Sequence, residues 1–362
     1  MANSKIRVLI AEDSPTIRNL LERILQSDEQ IEVIGTAANG KQAVEKAIEL
    51  KPDIVTMDIR MPVMDGFQAT KEIMRRVPTP ILVISASVNS DDLKITFNAI
   101  QAGALDIIEK PAGGLLRSNY EKMADKIIRK VKIISEIKVF HHVSGRKHGV
   151  KSIPVRPTEH TTAPQKLDNY TVQIIGMAAS TGGPGTLVKL LKKLPADFPI
   201  PIVIVQHITK GFGDGFISWL GNEVKLPVSA AKADAQILQK RIYVAPDDYH
   251  LMVNDGKFRL TKSLPVSGLR PYATYLFRSL AENYGNKAMG IVLTGMGRDG
   301  SEGLLEMREK GGLTVAQDES TSVVFGMPRE AIELGAAKFI LTPDETAQMM
   351  MRISRSGYGK NK

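Results

Sequence analysis

The chain contains no cysteine in its 362 residues. Disulfides and thiolate metal sites are therefore excluded. It also lacks any apolar run near the roughly 20 residues that a bilayer-spanning helix needs. The amino terminus, "MANSKIRVLIAED", passes straight into a strand-like segment and shows no signal-peptide pattern. No solenoid-type repeat is present. No helix-turn-helix pattern stands out. These absences fit a cytoplasmic protein without membrane insertion. Histidine is sparse, with six in the chain, so a histidine in a structured segment invites a chemical explanation.

Charge is unevenly spread. The formal net charge is +9, which raises the question of nucleic acid. Residues 1–120 carry −2, residues 121–170 carry +6 and the remainder +5. The densest excess thus falls in a connector, and it reads as a solvated basic helix and linker in preference to a nucleic-acid arm.

The first 120 residues alternate strand and helix. "IRVLIAED" is apolar on both faces, as a buried parallel strand should be. Ser14 and Pro15 supply an N-cap and a first-turn proline for the helix that follows, with Ile17, Leu20, Leu21, Ile24 and Leu25 at helical spacing. Five such units predict one doubly wound parallel α/β domain over 1–125. From Asn119 a lysine-rich helix begins, with Met123, Ile127, Val131 and Ile134 on one side. It fades into "SGRKHGVKSIPVRPTEHTTAPQK", a linker by composition. We assign 126–169 to this basic helix and linker. A second doubly wound α/β domain is expected over 170–355, with a hairpin at "HLMVNDGKFRLT".

In a parallel sheet, ligands bind beyond the carboxyl ends of the strands. The first domain places Glu12-Asp13, Asp58, Ser85 and Lys110 at four such ends. Crowded carboxylates repel, and a hard divalent cation such as Mg²⁺ resolves the conflict through oxygen ligands. With a metal and a lysine beside it, one carboxylate could attack a phosphoryl group.

"EDS", "MDIRMPVMDG" and "EKP" at these ends resemble the response-regulator receiver domain, a flavodoxin-like (βα)5 fold. The resemblance implies that Asp58 accepts a phosphoryl group from a histidine kinase. It further implies that Glu12, Asp13, Asp58 and the Arg60 carbonyl hold Mg²⁺, and that Ser85 and Lys110 read the phosphoryl oxygens. One departure is Ile107, which stands where the family often carries an aromatic switch residue.

The second domain opens on "GMAASTGGPG", residues 176–185. No lysine follows its glycines, so it is not a Walker loop. The dinucleotide fingerprint also fails on spacing. Ala178-Ala179-Ser180-Thr181-Gly182 does match a nucleophile elbow with its first glycine replaced by alanine. His207 closes the next strand, "IVIVQH", and Asp299 follows the strand "MGIVLTG". Serine, histidine and aspartate therefore come from three strand ends of one sheet, as a triad needs.

"ASTGG", "QH", "YVAPDDYHL", "LTGMGRDG" and "AQDESTSVVFGMP" occur in this order and resemble the chemotaxis protein-glutamate methylesterase/glutaminase family. The resemblance implies Ser180 as nucleophile, His207 as general base, Asp299 as orienting acid and the Met296 backbone N–H as an oxyanion donor. Its substrates would be methyl-accepting receptors and its phosphodonor the chemotaxis histidine kinase, with no cofactor for the esterase reaction. Near Arg270-Pro271 the family commonly reads Arg-Pro-Ser-x-Asp, whereas Tyr272 and Thr274 stand here. The expectation is a shift in substrate choice with chemistry at Ser180 intact, the alternative being that Tyr272 simply packs in the core. A DNA-binding response regulator and a catalytically silent scaffold are the alternatives.

Overall fold

The computed structural model describes residues 5–86, 90–111, 117–137, 139 and 170–358. The chain divides into two compact units, 1–151 and 152–362. The linker expected up to residue 169 lies almost wholly outside the described residues.

The first unit runs β1 (Ile6–Ala11), α1 (Pro15–Gln26), β2 (Ile31–Ala37), α2 (Gly40–Leu50), β3 (Ile54–Met57), α3 (Gly66–Arg76), β4 (Ile81–Ser85), α4 (Ser90–Gln101), β5 (Asp106–Glu109) and α5 (Arg117–Ser135). Its five strands are parallel in the order β2-β1-β3-β4-β5. This is the doubly wound order in which the chain reverses direction across the sheet between β1 and β3. Helix α1 starts as the sequence dictates: the Ser14 side chain accepts from the Ile17 N–H, and Pro15 opens the first turn.

The division at residue 125 needs correction. Helix α5 continues to Ser135. Ile127, Val131 and Ile134 are fully buried in the same core as Val8, Ile10 and Leu82. The helix was read as connector because its exposed face is dense in lysine. Its apolar stripe belongs to the core of the first unit's sheet, and each such side chain contributes about 1.5–3 kcal/mol by leaving water.

The second unit runs β6 (Ile174–Ala179), α6 (Gly183–Leu191), β7 (Ile202–Gln206), α7 (Gly213–Glu223), β8 (Val228–Ala230), β9 (Ile242–Val244), β10 (His250–Asn254), β11 (Lys257–Thr261), α8 (Ala273–Tyr284), β12 (Ala288–Val292), α9 (Ser301–Glu309), β13 (Leu313–Gln317), α10 (Met327–Glu333), β14 (Phe339–Leu341) and α11 (Pro343–Tyr358). Seven strands form one parallel sheet in the order β14-β13-β12-β6-β7-β9-β8. Every residue of β6, β7, β12 and β13 is buried, because helices cover both faces. The chain moves outward from β6 through β7, then returns to β12 on the other side of β6. The switch point therefore lies between β6 and β12.

The expected hairpin is β10–β11. Its turn residues, Asp255 and Gly256, have φ of 48° and 70°, the positive values that a type I′ turn requires. Strand β8 escaped sequence reading, since three half-buried residues at a sheet edge leave no pattern. No described helix is long and apolar enough to cross a membrane.

Candidate active site

In the first unit, Glu12 and Asp13 follow β1 and Asp58 follows β3, so three carboxylates meet at the switch point. Lys110 Nζ, just past β5, lies 2.8 Å from Asp58 Oδ2 and 2.9 Å from Glu12 Oε2. It donates a hydrogen bond to Glu12 Oε1 at 3.0 Å. One ammonium does not satisfy the cluster. Burial, followed by the negative charge of Asp58, pushes Glu12 up to about 7, against the opposing pull of Lys110. Burial also raises Asp58. Burial alone would lower Lys110, but Asp58 and Glu12 more than offset it, so the lysine is held above its usual range.

The donor set fits a hard divalent cation. Glu12 and Asp58 are buried, and their Oε2 and Oδ2 share the single Lys110 ammonium. One oxygen each from Glu12, Asp13 and Asp58 lie within 4.8 Å of one another. Asp13 and Arg60 line the same shallow pocket of about 450 Å³. Arg60 also donates its backbone N–H to Asp58 Oδ1 at 3.3 Å. Ser85 is buried at the end of β4, with its hydroxyl 3.2 Å from that of Thr96. Ile107 is buried within β5.

In the second unit, β7, β6 and β12 are neighbours, and His207, Ser180 and Asp299 lie beyond their respective carboxyl ends. The Ser180 N–H donates to the Thr294 carbonyl at 3.0 Å. Its own carbonyl accepts from the Gly183 N–H at 2.8 Å and from Gln206 Nε2 at 2.9 Å. The same Gln206 Nε2 donates to the His207 carbonyl at 2.9 Å. A single buried amide thus ties the serine loop to the histidine loop. The loop after His207 is held by Asp247, whose Oδ2 accepts from the N–H groups of Gly211 at 2.6 Å and Gly213 at 3.3 Å.

His207 Nε2 lies 2.7 Å from Asp299 Oδ2, and both side chains are buried. The carboxylate accepts, so Nε2 carries a proton and Nδ1 is left free to act as base. No hydrogen bond joins Ser180 Oγ to the ring among the described residues. Catalytic contacts of this kind commonly tighten only when substrate arrives.

Asp299 has further partners. Oδ2 also accepts from the Ala273 N–H at 2.5 Å. Oδ1 accepts from both the N–H and the hydroxyl of Thr274, each at 3.0 Å. The carboxylate therefore closes the amino end of α8, where backbone N–H groups have no intrahelical acceptor. The N-cap residue Tyr272 makes no side-chain cap. Thr274, where the family commonly carries aspartate, bonds the candidate acid itself. Tyr272 is half-buried, and burial, then the charges of Asp299 and Glu302, raise its phenol.

Met296 lies beside the serine. A Cβ on its neighbour Gly295 would come within 2.7 Å of Ser180 Cβ. The Met296 N–H has no backbone acceptor among the described residues. Gln206, Thr294 and Asp247 carry no individual signal in the sequence, although they stand in the quoted "QH", "LTGMGRDG" and "YVAPDDYHL".

Comparison with known proteins places this arrangement. Residues 175–350 match the CheB methylesterase family, and residues 8–116 match the response regulator receiver domain. A protein-glutamate methylesterase/protein-glutamine glutaminase 1 of Syntrophus aciditrophicus is 43% identical over 97% of this chain and 99% of its own length. The chain belongs to the protein-glutamate methylesterase/protein-glutamine glutaminase family. A relative with the same description from Nitrosospira multiformis is 43% identical over 96% of this chain and 97% of its own length. A third, numbered 4, from Myxococcus xanthus is 40% identical over 99% of both. As a family member the chain is a hydrolase of chemotaxis with a receiver domain ahead of its methylesterase domain.

Proposed function

We propose that Ser180 attacks the γ-carbonyl carbon of a methylated glutamate on a methyl-accepting chemotaxis receptor, with His207 as general base and Asp299 as orienting acid. The observation that carries this reading is the meeting of the three groups at adjacent strand ends, with His207 Nε2 2.7 Å from Asp299 Oδ2. As the Ser180 Oγ–C bond forms, its proton passes to His207 Nδ1. The Met296 N–H faces the oxyanion that develops. Collapse of the tetrahedral species breaks the C–O bond to the methyl group's oxygen, and His207 returns the proton, releasing methanol. Water then attacks the acyl-enzyme, gives its proton to His207 and frees the glutamate carboxylate. A glutamine side chain would follow the same route and release ammonia. Asp299 stabilises the imidazolium in each half without exchanging a proton.

In the receiver, Asp58 accepts a phosphoryl group from the chemotaxis histidine kinase. Glu12, Asp13, Asp58 and the Arg60 carbonyl would hold Mg²⁺, which shields the carboxylate from the incoming phosphoryl charge. Two buried carboxylates that share one ammonium, with Asp13 within 4.8 Å, support that assignment. Phosphorylation adds about −1.5 to −2 charge. Lys110 and Ser85 would follow that charge, and esterase activity rises. The enzyme works in the cytoplasm on receptor segments, with no nucleic-acid partner and no membrane insertion.

The test is methanol release from methylated receptor membranes, with and without a small-molecule phosphodonor. Ser180→Ala should lower turnover by about four to six orders of magnitude while the protein stays folded. Near-normal release by a folded Ser180→Ala protein would refute the mechanism. Equal release with and without phosphodonor would refute the regulation.

A further inference from the structure

We propose that Thr274 is a positioning residue: its hydroxyl fixes the Asp299 carboxylate and sets the pH at which His207 becomes a working base. The inference rests on the assignment of Ser180, His207 and Asp299 above.

Thr274 is the second residue of α8, and its backbone N–H already serves Asp299 Oδ1 at 3.0 Å. Backbone donors alone would close the helix end. The side chain adds something different. Its hydroxyl donates to Oδ1 at 3.0 Å and accepts from the Gly300 N–H at 3.0 Å. Gly300 follows Asp299 in the chain and caps α9. Acid, hydroxyl and amide thus form a closed ring, and Thr274 is 3% exposed, so water does not replace a lost member.

Two consequences follow. With Oδ1 held by two donors, the carboxylate cannot turn about its Cβ–Cγ bond, and Oδ2 stays on His207. Each donated hydrogen bond also draws negative charge from the carboxylate and weakens its hold on an imidazolium. Loss of the hydroxyl is therefore expected to tighten the hold of Asp299 on an imidazolium. Other charged and titratable groups surround the site. Arg298 and Glu302 come from the β12–α9 segment, and Tyr272 and Arg270 from the approach to α8. His250 comes from β10, and Lys210, Asp247 and Asp248 come from the loops after β7 and β9. A change at Thr274 that removes only the hydroxyl leaves all of them in place.

The experiment uses the full-length chain and a glutamate γ-methyl ester peptide, with kcat and KM measured from pH 5 to 9. Thr274→Val should lower kcat about tenfold with KM within about twofold, the scale of one hydrogen bond to a charged group. The acid limb of the profile should move up by about half a pH unit, since the imidazolium is held more tightly. Thr274→Ser should restore both. An unmoved acid limb in Thr274→Val, whether or not the melting temperature falls, overturns the proposal. So does a Thr274→Ser profile that follows the valine variant. A parent protein without turnover even with a small-molecule phosphodonor present refutes the triad itself, and the inference falls with it.

Discussion

Replacing Asp299 with asparagine tests the double engagement of one carboxylate. In the parent all four bonds run into oxygen: His207 and Ala273 on Oδ2, and the Thr274 N–H and hydroxyl on Oδ1. An amide must turn an NH₂ toward one of these pairs. Facing Oδ2's partners, it meets the Ala273 N–H and the protonated Nε2. Facing Oδ1's partners, it meets the Thr274 N–H, while the hydroxyl can rotate to accept. The second orientation strands fewer donors and should prevail. One buried N–H then lacks an acceptor, at a cost of about 1–3 kcal/mol. For a unit of this size that lowers Tm by about 3–10 °C. His207 keeps an oxygen on Nε2, so its tautomer survives, but the charge that stabilises the imidazolium is gone. Activity should fall by about two to three orders of magnitude, short of the roughly 10⁴ seen when an amide also imposes the wrong tautomer. The acid limb should move down in pH, opposite to Thr274→Val, because an imidazolium without its counter-charge loses its proton more readily. Thermal unfolding and pH-resolved kcat/KM on one preparation decide it. An Asp299→Asn protein with unchanged Tm would refute the capping role, and one with an unshifted acid limb would refute the electrostatic role.

Three further outcomes are expected. Gly295→Ala would place a Cβ 2.4 Å from Met327 Sδ and 2.7 Å from Ser180 Cβ; displacement of the serine should cut kcat by about tenfold or more with circular dichroism unchanged. Ile127→Ala should destabilise the receiver by about 2–5 kcal/mol in urea titrations, because the side chain is fully buried; a change under about 0.5 kcal/mol would return α5 to the connector. His250 is buried with its ring stacked on Tyr275 at 4.3 Å, and burial depresses its pKa. The unfolded chain therefore gains a proton first, and stability should drop as pH falls below about 6.5; His250→Phe should flatten that slope, and an identical slope would show that His250 does not cause it.

Much of the fold was legible because parallel strands buried on both faces announce themselves, and the residues after their carboxyl ends can be named without knowing the sheet order. The same rule names Glu12, Asp58, Ser180, His207 and Asp299 as candidates. The limits have physical causes. Lysines on the outer face of α5 hid an apolar stripe that continues past residue 125. Edge strand β8 is too short to show a period. Thr274 meets Asp299 only because the start of α8 is folded against the segment that opens α9, a tertiary proximity that no spacing rule encodes. A local comparison with the family's common residue points to substrate choice and does not show that the position bonds Asp299.

Gln206 has a consequence for kinetics. Its amide nitrogen clasps the carbonyls of Ser180 and His207 together, and the Ser180 N–H is clasped from the other side by Thr294. These bonds hold the two loops to each other, so rotation about side-chain bonds is expected to close the gap between hydroxyl and imidazole without a loop rearrangement before acylation. Stopped-flow traces with an activated ester should begin their burst without a lag.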